Sequence, residues 1–529
     1  MKKMTIFILA IMTVLVITAV LCACGDDVTE TTGAVTTEGT TAAVTTDLSE
    51  TDTSVTETTA TSAETTTTVE TTTEETTTSA ETTTEEYREF YDDQIVLSFA
   101  AVSDTHVSFS KKLDDATAKK FIAAMDQLKA KALENDPDGL DAVLIVGDLI
   151  NGYLSDDKGY YTTTFKTLYE KEFDVNEVPL IYCLGDGHDL SWKDDKVYIQ
   201  RLIDRLGEAY YQTDIEPELI SEGTRHCVVN GYHILSLEPC SRYPITYTAK
   251  TKEWLDKTLA EITEKDPNSY VFVITHPMIE GTTYGSNFDL TSGSWATKDL
   301  TTILEKYPQV ITFGGHLHYP VNDERSIMQQ GFTAVGTGAV YYLCAEPEYV
   351  GMSGNNVPDA YNCSQGLLVQ VDAKGNVKIT RMDFKNEQVI KEPWILSAPD
   401  AEGTNLTKYT EAGRMAVNTA PTFDVAPEVT VSNDGTGKGN VLVRIHAAKD
   451  DDVVHHYTVK VKNLSNDAVK TYKYLTDFYM VGDISQMKSE VQYTITGLSG
   501  GKEYDIIVTA VDCWGVESEP TTVRISTMF

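Results

Sequence analysis

Five short acid–histidine pieces, each set at the end of an apolar run, constrain this chain more than any other feature. They are Asp104-x-His106, Gly147-Asp148-Leu149-Ile150-Asn151, Gly187-His188-Asp189, Thr275-His276 and Gly315-His316-x-His318. The runs before them, Ile95–Val102, Ala142–Val146, Val178–Leu184, Tyr270–Ile274 and Gln309–Phe313, read as buried strands. A strand end is rigid and fixes the loop that follows, so it is a good seat for a ligand. Asp and neutral His together suit borderline metals such as zinc, manganese or iron. One Asp-x-His is an ordinary surface turn, but five pieces in one region point to a single two-metal site. His226 and His233 lie in the same region outside the pieces and read as ordinary core or surface histidines.

Helical patterns fall between the runs, at Ala116–Leu133, Lys196–Leu206, Thr251–Ile262 and Leu300–Leu304. Further strands are expected near His226–Val229 and His233–Leu237, then at Thr333–Ala339, Gln365–Val371 and Val377–Phe384. Alternating strand and helix followed by a strand-rich end predicts an α/β sandwich over residues 87–385. The loops Gly152–Thr164 and Gly281–Thr297 are expected to rim the site. Residues 386–420 have weak periodicity with several Gly and Pro, and read as a connector. Residues 421–529 turn to short strands, Val441–His446, His456–Lys462, Val491–Thr496, Asp505–Val511 and Thr522–Ser526, which suit a second, all-β sandwich.

The five pieces resemble the motif series of the calcineurin-like metallophosphoesterase family: Asp-x-His, Gly-Asp-x-x-Asp, Gly-Asn-His-Asp/Glu, His, Gly-His-x-His. The resemblance covers about 300 residues, the scale of one large domain. It implies an α/β sandwich of the metallophosphoesterase type. It implies two transition metal ions (Mn, Fe or Zn) and hydrolysis of phosphate esters by a hydroxide activated between them. Asp104, His106 and His318 would hold the first metal, Asp148 would bridge, and His276 and His316 would hold the second. His188 would contact the phosphate and assist the leaving oxygen, with Asp189 orienting His188 through its other ring nitrogen. Asn151 replaces the second Asp of Gly-Asp-x-x-Asp, a position that is not a direct ligand in the family. The third motif departs further, because Gly187 stands where the family has its ligand Asn. Two readings follow. In one, Asp186 supplies the oxygen ligand across a one-residue insertion; in the other, a ligand is lost and the second metal position is weak.

The segment Leu498–Tyr504, with Ile506, Val508 and Ala510 after it, resembles the sixth-strand region of a fibronectin type III domain, and Tyr504 fits its tyrosine-corner position. The Trp usual in the second strand is absent, with Ile445 nearby.

The amino terminus has Lys2 and Lys3, then an apolar run from Ile6 to Leu21, a signal-peptide pattern. Leu21-Cys22-Ala23-Cys24 resembles the bacterial lipoprotein cleavage box, which implies that residues 1–23 are removed and that Cys24 carries lipid. Residues 24–86 are Thr/Glu-rich, with thirteen acids and no Lys or Arg between Val28 and Glu86. Such a stretch cannot bury enough apolar surface to order itself and reads as a tether. The expected location is the bacterial cell surface, lipid-anchored to the outer face of the membrane. A formal net charge of -38 argues against nucleic acid as a structural partner. The expected partners are a phosphoester substrate, the membrane through Cys24, and a cell-wall or carbohydrate ligand for the C-terminal domain. Two alternatives remain open from the residues: a degenerate relative that binds phosphorylated ligands without turnover, and a surface adhesion lipoprotein.

Overall fold

The computed structural model describes residues 89–528, except 153–157, 186–187, 190–194, 212–221, 243, 288, 291–292 and 438. The leader, Cys24, the tether and Asp186 therefore lie outside the described residues.

Two sheets face each other. The first has the order β12-β11-β10-β1-β2-β3, with β13 also paired to β11. Its strands are β1 (Ile95–Val102), β2 (Ala142–Val146), β3 (Leu180–Cys183), β10 (Gln365–Asp372), β11 (Val377–Asp383), β12 (Gln388–Val389) and β13 (Trp394–Leu396). The second has the order β8-β9-β7-β6-β5-β4. Its strands are β4 (Arg225–Val229), β5 (Tyr232–Leu237), β6 (Val271–Thr275), β7 (Val310–Gly314), β8 (Ile327–Gln329) and β9 (Thr333–Gly336). The trio β1-β2-β3 is parallel, as are β5, β6, β7 and β9.

The period of two along each strand decides the layering. Leu97, Phe99 and Ala101 of β1 join Phe272 and Ile274 of β6 and Ile311 and Phe313 of β7 in the core between the sheets. The alternate residues Ala100 and Val102 meet helices α1 (Ala116–Ala132), α2 (Tyr160–Glu172) and α3 (Asp195–Leu206) on the outer face of the first sheet. Val271, Val273 and Val310 likewise meet α4 (Ala249–Lys265) on the outer face of the second. Strands covered on both faces read as unbroken apolar runs, which is why they stand out in the sequence. The result is an α/β sandwich, with helices outside two mixed sheets.

Two expectations are corrected here. The stretch Gly152–Thr164, read as a loop, gives way at Tyr160 to α2, whose Phe165, Leu168 and Tyr169 are buried at helical spacing. Its start, Tyr-Tyr-Thr-Thr-Thr, is poor in strong helix formers, so packing rather than propensity forms it. The stretch from Asn386 is not a plain connector either. β12 and β13 add to the first sheet, and Trp394 and Tyr409 are buried in the core between the sheets.

The C-terminal residues form a sandwich of β14 (Val429–Asn433), β15 (Val441–His446) and β18 (Glu490–Ile495) against β16 (Val454–Asn463), β17 (Val469–Leu475), β19 (Glu503–Asp512) and β20 (Thr521–Ser526). The orders β14-β15-β18 and β17-β16-β19-β20 make a seven-stranded all-β sandwich of three strands against four. The Tyr504 hydroxyl accepts a hydrogen bond from Ser499 N at 3.0 Å, the expected tyrosine corner, and Ile445 is buried in the core.

Candidate metal centre

The strand ends of β1, β2, β6 and β7 converge. Carboxylate and imidazole atoms of Asp104, His106, Asp148 and His318 lie within 4.8 Å of one another, and so do those of Asp148, His276 and His316. All six residues are buried, and Asp148 belongs to both groups. Its Oδ2 is 3.7 Å from His106 Nε2, while its Oδ1 is 3.5 Å from His276 Nε2, so one carboxylate offers an oxygen to each group.

The backbone bends sharply to do this. Asp104, His106, Asp148, His316 and His318 have φ of 54°, 43°, 50°, 69° and 57°, five of the eleven positive-φ non-glycine residues among the described ones. Such conformations cost roughly 1–3 kcal/mol each and persist only where the surroundings dictate them. Here the loops hold each other. Asp104 N donates to Gly147 O at 3.0 Å, His106 N to Asp148 O at 2.9 Å, and Gly315 N to His276 O at 2.9 Å. Glycines let them approach: a Cβ on Gly147 would strike the His276 ring, and one on Gly185 the Asp148 carboxylate.

The histidines are oriented by their other ring nitrogens. His276 Nδ1 lies 2.8 Å from Val146 O, and His318 Nδ1 lies 2.9 Å from Tyr342 O. A carbonyl only accepts, so each Nδ1 carries the proton and each neutral ring turns its unprotonated Nε2 inward. His276 Nε2 faces His316 Nδ1 at 3.1 Å, and His318 Nε2 faces His106 Nε2 at 3.4 Å. Asp104 is fixed from behind, its Oδ2 accepting from Ser103 Oγ at 2.5 Å and from His316 N at 3.1 Å. Thr337 Oγ1 in turn donates to Ser103 Oγ at 2.7 Å.

The unmatched buried atoms test whether the site fits a cation. Asp104 Oδ1 and Asp148 Oδ1 are buried without a hydrogen bond. Asp104 Oδ1 lies 2.9 Å from His318 Nε2, but not in line to accept from it. Two orphaned carboxylate oxygens and inward ring lone pairs fit divalent cations of mixed N/O preference. The charges agree. Burial alone would raise Asp104, but His318 and His276 bring it down to about 2, and Asp148 is held well below its usual range against the same burial, chiefly by His276 and His188. Burial drives His106 down to about 3. Burial would lower His318 too, yet the Asp104 charge beside it holds it above its ordinary value. The acids draw positive charge to the centre.

His188 is half-buried at the mouth, its ring edge-on to His106 at 4.6 Å between centroids. Asp189 corrects the sequence reading. Its Oδ2 accepts from Leu149 N and Gly185 N, both at 2.9 Å, and its Oδ1 accepts from Ile150 N at 3.0 Å. It ties the end of β3 to the loop after Asp148 and orients that loop rather than His188. Burial, reinforced by Asp148, raises it to about 7. The Asn151 amide turns to Ser108 Oγ at the surface, away from the ligands. His226 and His233 form a cross-strand pair at 2.7 Å on β4 and β5.

Sequence reasoning missed Ser103, Thr337, Gly185 and Tyr342, whereas Trp295 lies in the loop Gly281–Thr297 expected to rim the site. Tyr342 lies against His318 with centroids 4.1 Å apart and also meets His106 at 5.7 Å. Trp295 covers His316 at 4.8 Å. Ser103 and Gly185 adjoin the motifs and were findable there; Thr337 and Tyr342 carry no local signal.

Residues 97–320 match the family model described as calcineurin-like phosphoesterase. That span is less than half of the chain, and it contains all six of the clustered Asp and His side chains. No curated protein matches the sequence. Among solved structures the chain is similar to purple acid phosphatase PPD1 from yellow lupin (Lupinus luteus) seeds, at 13% identity and a TM-score of 0.39. That match covers 58% of this chain and 54% of the lupin chain, about half its length. It is also similar to the fn3 domain of the human collagen alpha-1(XX) chain, at 16% identity and TM-score 0.15, over 21% of this chain and 88% of that one. A third is the FN5 domain of Drosophila Lar, at 15% identity and TM-score 0.13, over 21% of this chain and 98% of that one.

Proposed function

We propose that this protein is a metal-dependent phosphoesterase acting outside the cytoplasm, anchored to the membrane by lipid on Cys24. The observation that carries the catalytic part is the pair of buried ligand groups sharing Asp148. Two transition metal ions held there supply Lewis-acid charge and a water of lowered pKa near neutral pH. Asp104, His106 and His318 would hold one ion and His276 and His316 the other, with Asp148 available to both groups. His188, at the mouth beside His106, is placed to bind a phosphate oxygen and hand a proton to the leaving oxygen. The rings of Tyr342 and Trp295 shield the ligand histidines from bulk water, which strengthens charge interactions inside.

Asp186 lies outside the described residues, and its role is read from the sequence. As the oxygen ligand in place of the family Asn, it gives the centre three carboxylates with Asp104 and Asp148. The added negative charge disfavours a doubly charged monoester relative to a singly charged diester. The leader and acidic tether support a surface location, with residues 24–86 holding the folded part away from the membrane.

The test is elemental analysis of the purified chain and of Asp148→Asn, with hydrolysis of bis- and mono-p-nitrophenyl phosphate. About two transition metals per chain, lost on Asp148→Asn together with diester hydrolysis, are expected. A chain that holds no transition metal overturns the reading. One that holds metal but cleaves neither ester moves it to the binding alternative.

A further inference from the structure

The fibronectin-like sandwich packs against the loops that frame the metal centre. His455, at the start of β16, is buried between two of them. Its Nε2 lies 2.8 Å from the Tyr284 hydroxyl and its Nδ1 3.4 Å from the Tyr349 hydroxyl. Tyr284 donates its own proton to Glu346 Oε2 at 2.9 Å, so it accepts from His455 Nε2–H. His455 Nδ1 is then an acceptor, facing both the Tyr349 hydroxyl and His456 Nδ1, the latter at 3.2 Å. Burial, with the Arg325 charge nearby, keeps the ring neutral, as this pairing requires.

Both tyrosines lead to the ligands. Tyr284 belongs to an apolar cluster with Met278, Ala296, Leu317 and Tyr319, against which Trp295 and Tyr342 pack. Leu317 stands between His316 and His318, and Trp295 and Tyr342 are the rings that cover them. Tyr349 lies on the segment 339–363, whose backbone holds the metal loops directly. Tyr341 N donates to Asp104 O at 3.2 Å, and Cys344 N to His318 O at 2.9 Å. The outer side of that segment is bound by the sandwich: Val350 N donates to Lys473 O at 2.8 Å, and the Tyr479 hydroxyl to Pro358 O at 2.9 Å.

We infer that the fibronectin-like domain is a working part of the metal centre, and that His455 is the positioning residue through which it sets the two walls of the site. It is neither a spacer nor an independent adhesion module. This rests on the metal-centre reading above, and the test separates the two.

The experiment compares full-length wild type with His455→Ala, His455→Gln and Arg524→Ala. Arg524 pairs with Asp505 on the exposed face of the sandwich and serves as the control. Manganese and zinc affinity are read by chelator competition, and kcat and KM for bis-p-nitrophenyl phosphate at saturating metal. His455→Ala is expected to weaken metal binding about 10-fold or more, the scale of lost support behind a ligand. At saturating metal it should lower kcat more than it raises KM. The Gln side chain keeps a donor for Tyr284 and should restore most of the loss, and Arg524→Ala should match wild type. Wild-type metal affinity and kcat in a folded His455→Ala overturn the inference. If Ala does not fold, the folded Gln variant decides: full function together with an equally functional Tyr284→Phe overturns it, and a partial metal-affinity defect in both supports it. Absence of metal or hydrolysis in wild type itself would instead strike the catalytic reading.

Discussion

Gly185 shows how little room the centre leaves. Its φ is ordinary, so a side chain is excluded by space alone: a Cβ would overlap the Asp148 carboxylate and lie 2.7 Å from Asp148 N. Gly185→Ala should therefore push the shared ligand aside while sparing the fold. Ser103→Ala is gentler, because Asp104 Oδ2 keeps its bond from His316 N. The expected order of metal affinity is wild type, then Ser103→Ala down about 10-fold, then Gly185→Ala down about 100-fold, the range for disturbed support of ligands. Metal titration with circular dichroism as a fold check measures it. Equal affinities across the three would mean that Asp148 and Asp104 do not depend on their packing.

At the scale of elements, Glu324 fastens the two sheets. It sits in the turn before β8, and its Oε1 meets Arg381 of β11 at 2.8 Å and Lys391 at 3.1 Å. Its Oε2 accepts from Trp394 Nε1 of β13 at 3.0 Å. Burial would raise this acid, but Arg381 and Lys391 hold it far below the usual 4.5. A depressed folded pKa adds stability that is fully present above the unfolded value and is lost as pH falls toward the folded one. Glu324→Gln should thus cost about 3 kcal/mol near neutral pH, since it strands the buried Arg381 and the half-buried Lys391. That gap should hold between pH 8 and 5 and narrow below pH 4, as read by urea unfolding at each pH. A gap unchanged at pH 3 would assign the loss to packing instead. The same elements mark what was legible in advance. β1, β2, β6 and β7 are runs buried on both faces, so their ends could be read from apolar content, and the candidate ligands there from the acid–histidine pieces that follow. β12 and β13 span two and three residues with no alternation to detect, and α2 opens on β-branched and aromatic residues. His455 looks like any strand residue, because its partners Tyr284 and Tyr349 lie 171 and 106 positions away.

Across residues 89–528, the two sandwiches keep separate cores and meet in one further apolar cluster. Ala339, Leu343, Ala345, Val357 and Ala360 pack with Val453, Phe478, Tyr479 and Cys513 of the fibronectin-like part. Polar bonds border it, with Asn322 Nδ2 donating to Val481 O at 2.7 Å and Lys391 N to Gly482 O at 2.8 Å. An apolar interface of this kind couples domain stabilities, whereas a polar one leaves them separate. Residues 89–528 should accordingly unfold in one calorimetric transition. Phe478→Ala, which opens a cavity in the shared cluster, should lower that single transition by about 3–5 kcal/mol rather than split off the C-terminal part. Metal bound near β1 and β7 stabilises the native state by about 2.7 kcal/mol at a hundredfold excess over Kd. If the domains are coupled, that increment must also appear in the C-terminal sandwich. Trp514 lies there, its Nε1 bonded to Asp452 Oδ2 at 2.8 Å, and hydrogen exchange of its indole N–H reports on that region alone. Added manganese should slow this exchange under mildly denaturing conditions by about the factor that 2.7 kcal/mol predicts, roughly 100-fold. Exchange indifferent to metal, or two separate calorimetric peaks, would show that the sandwich folds independently of the centre it touches.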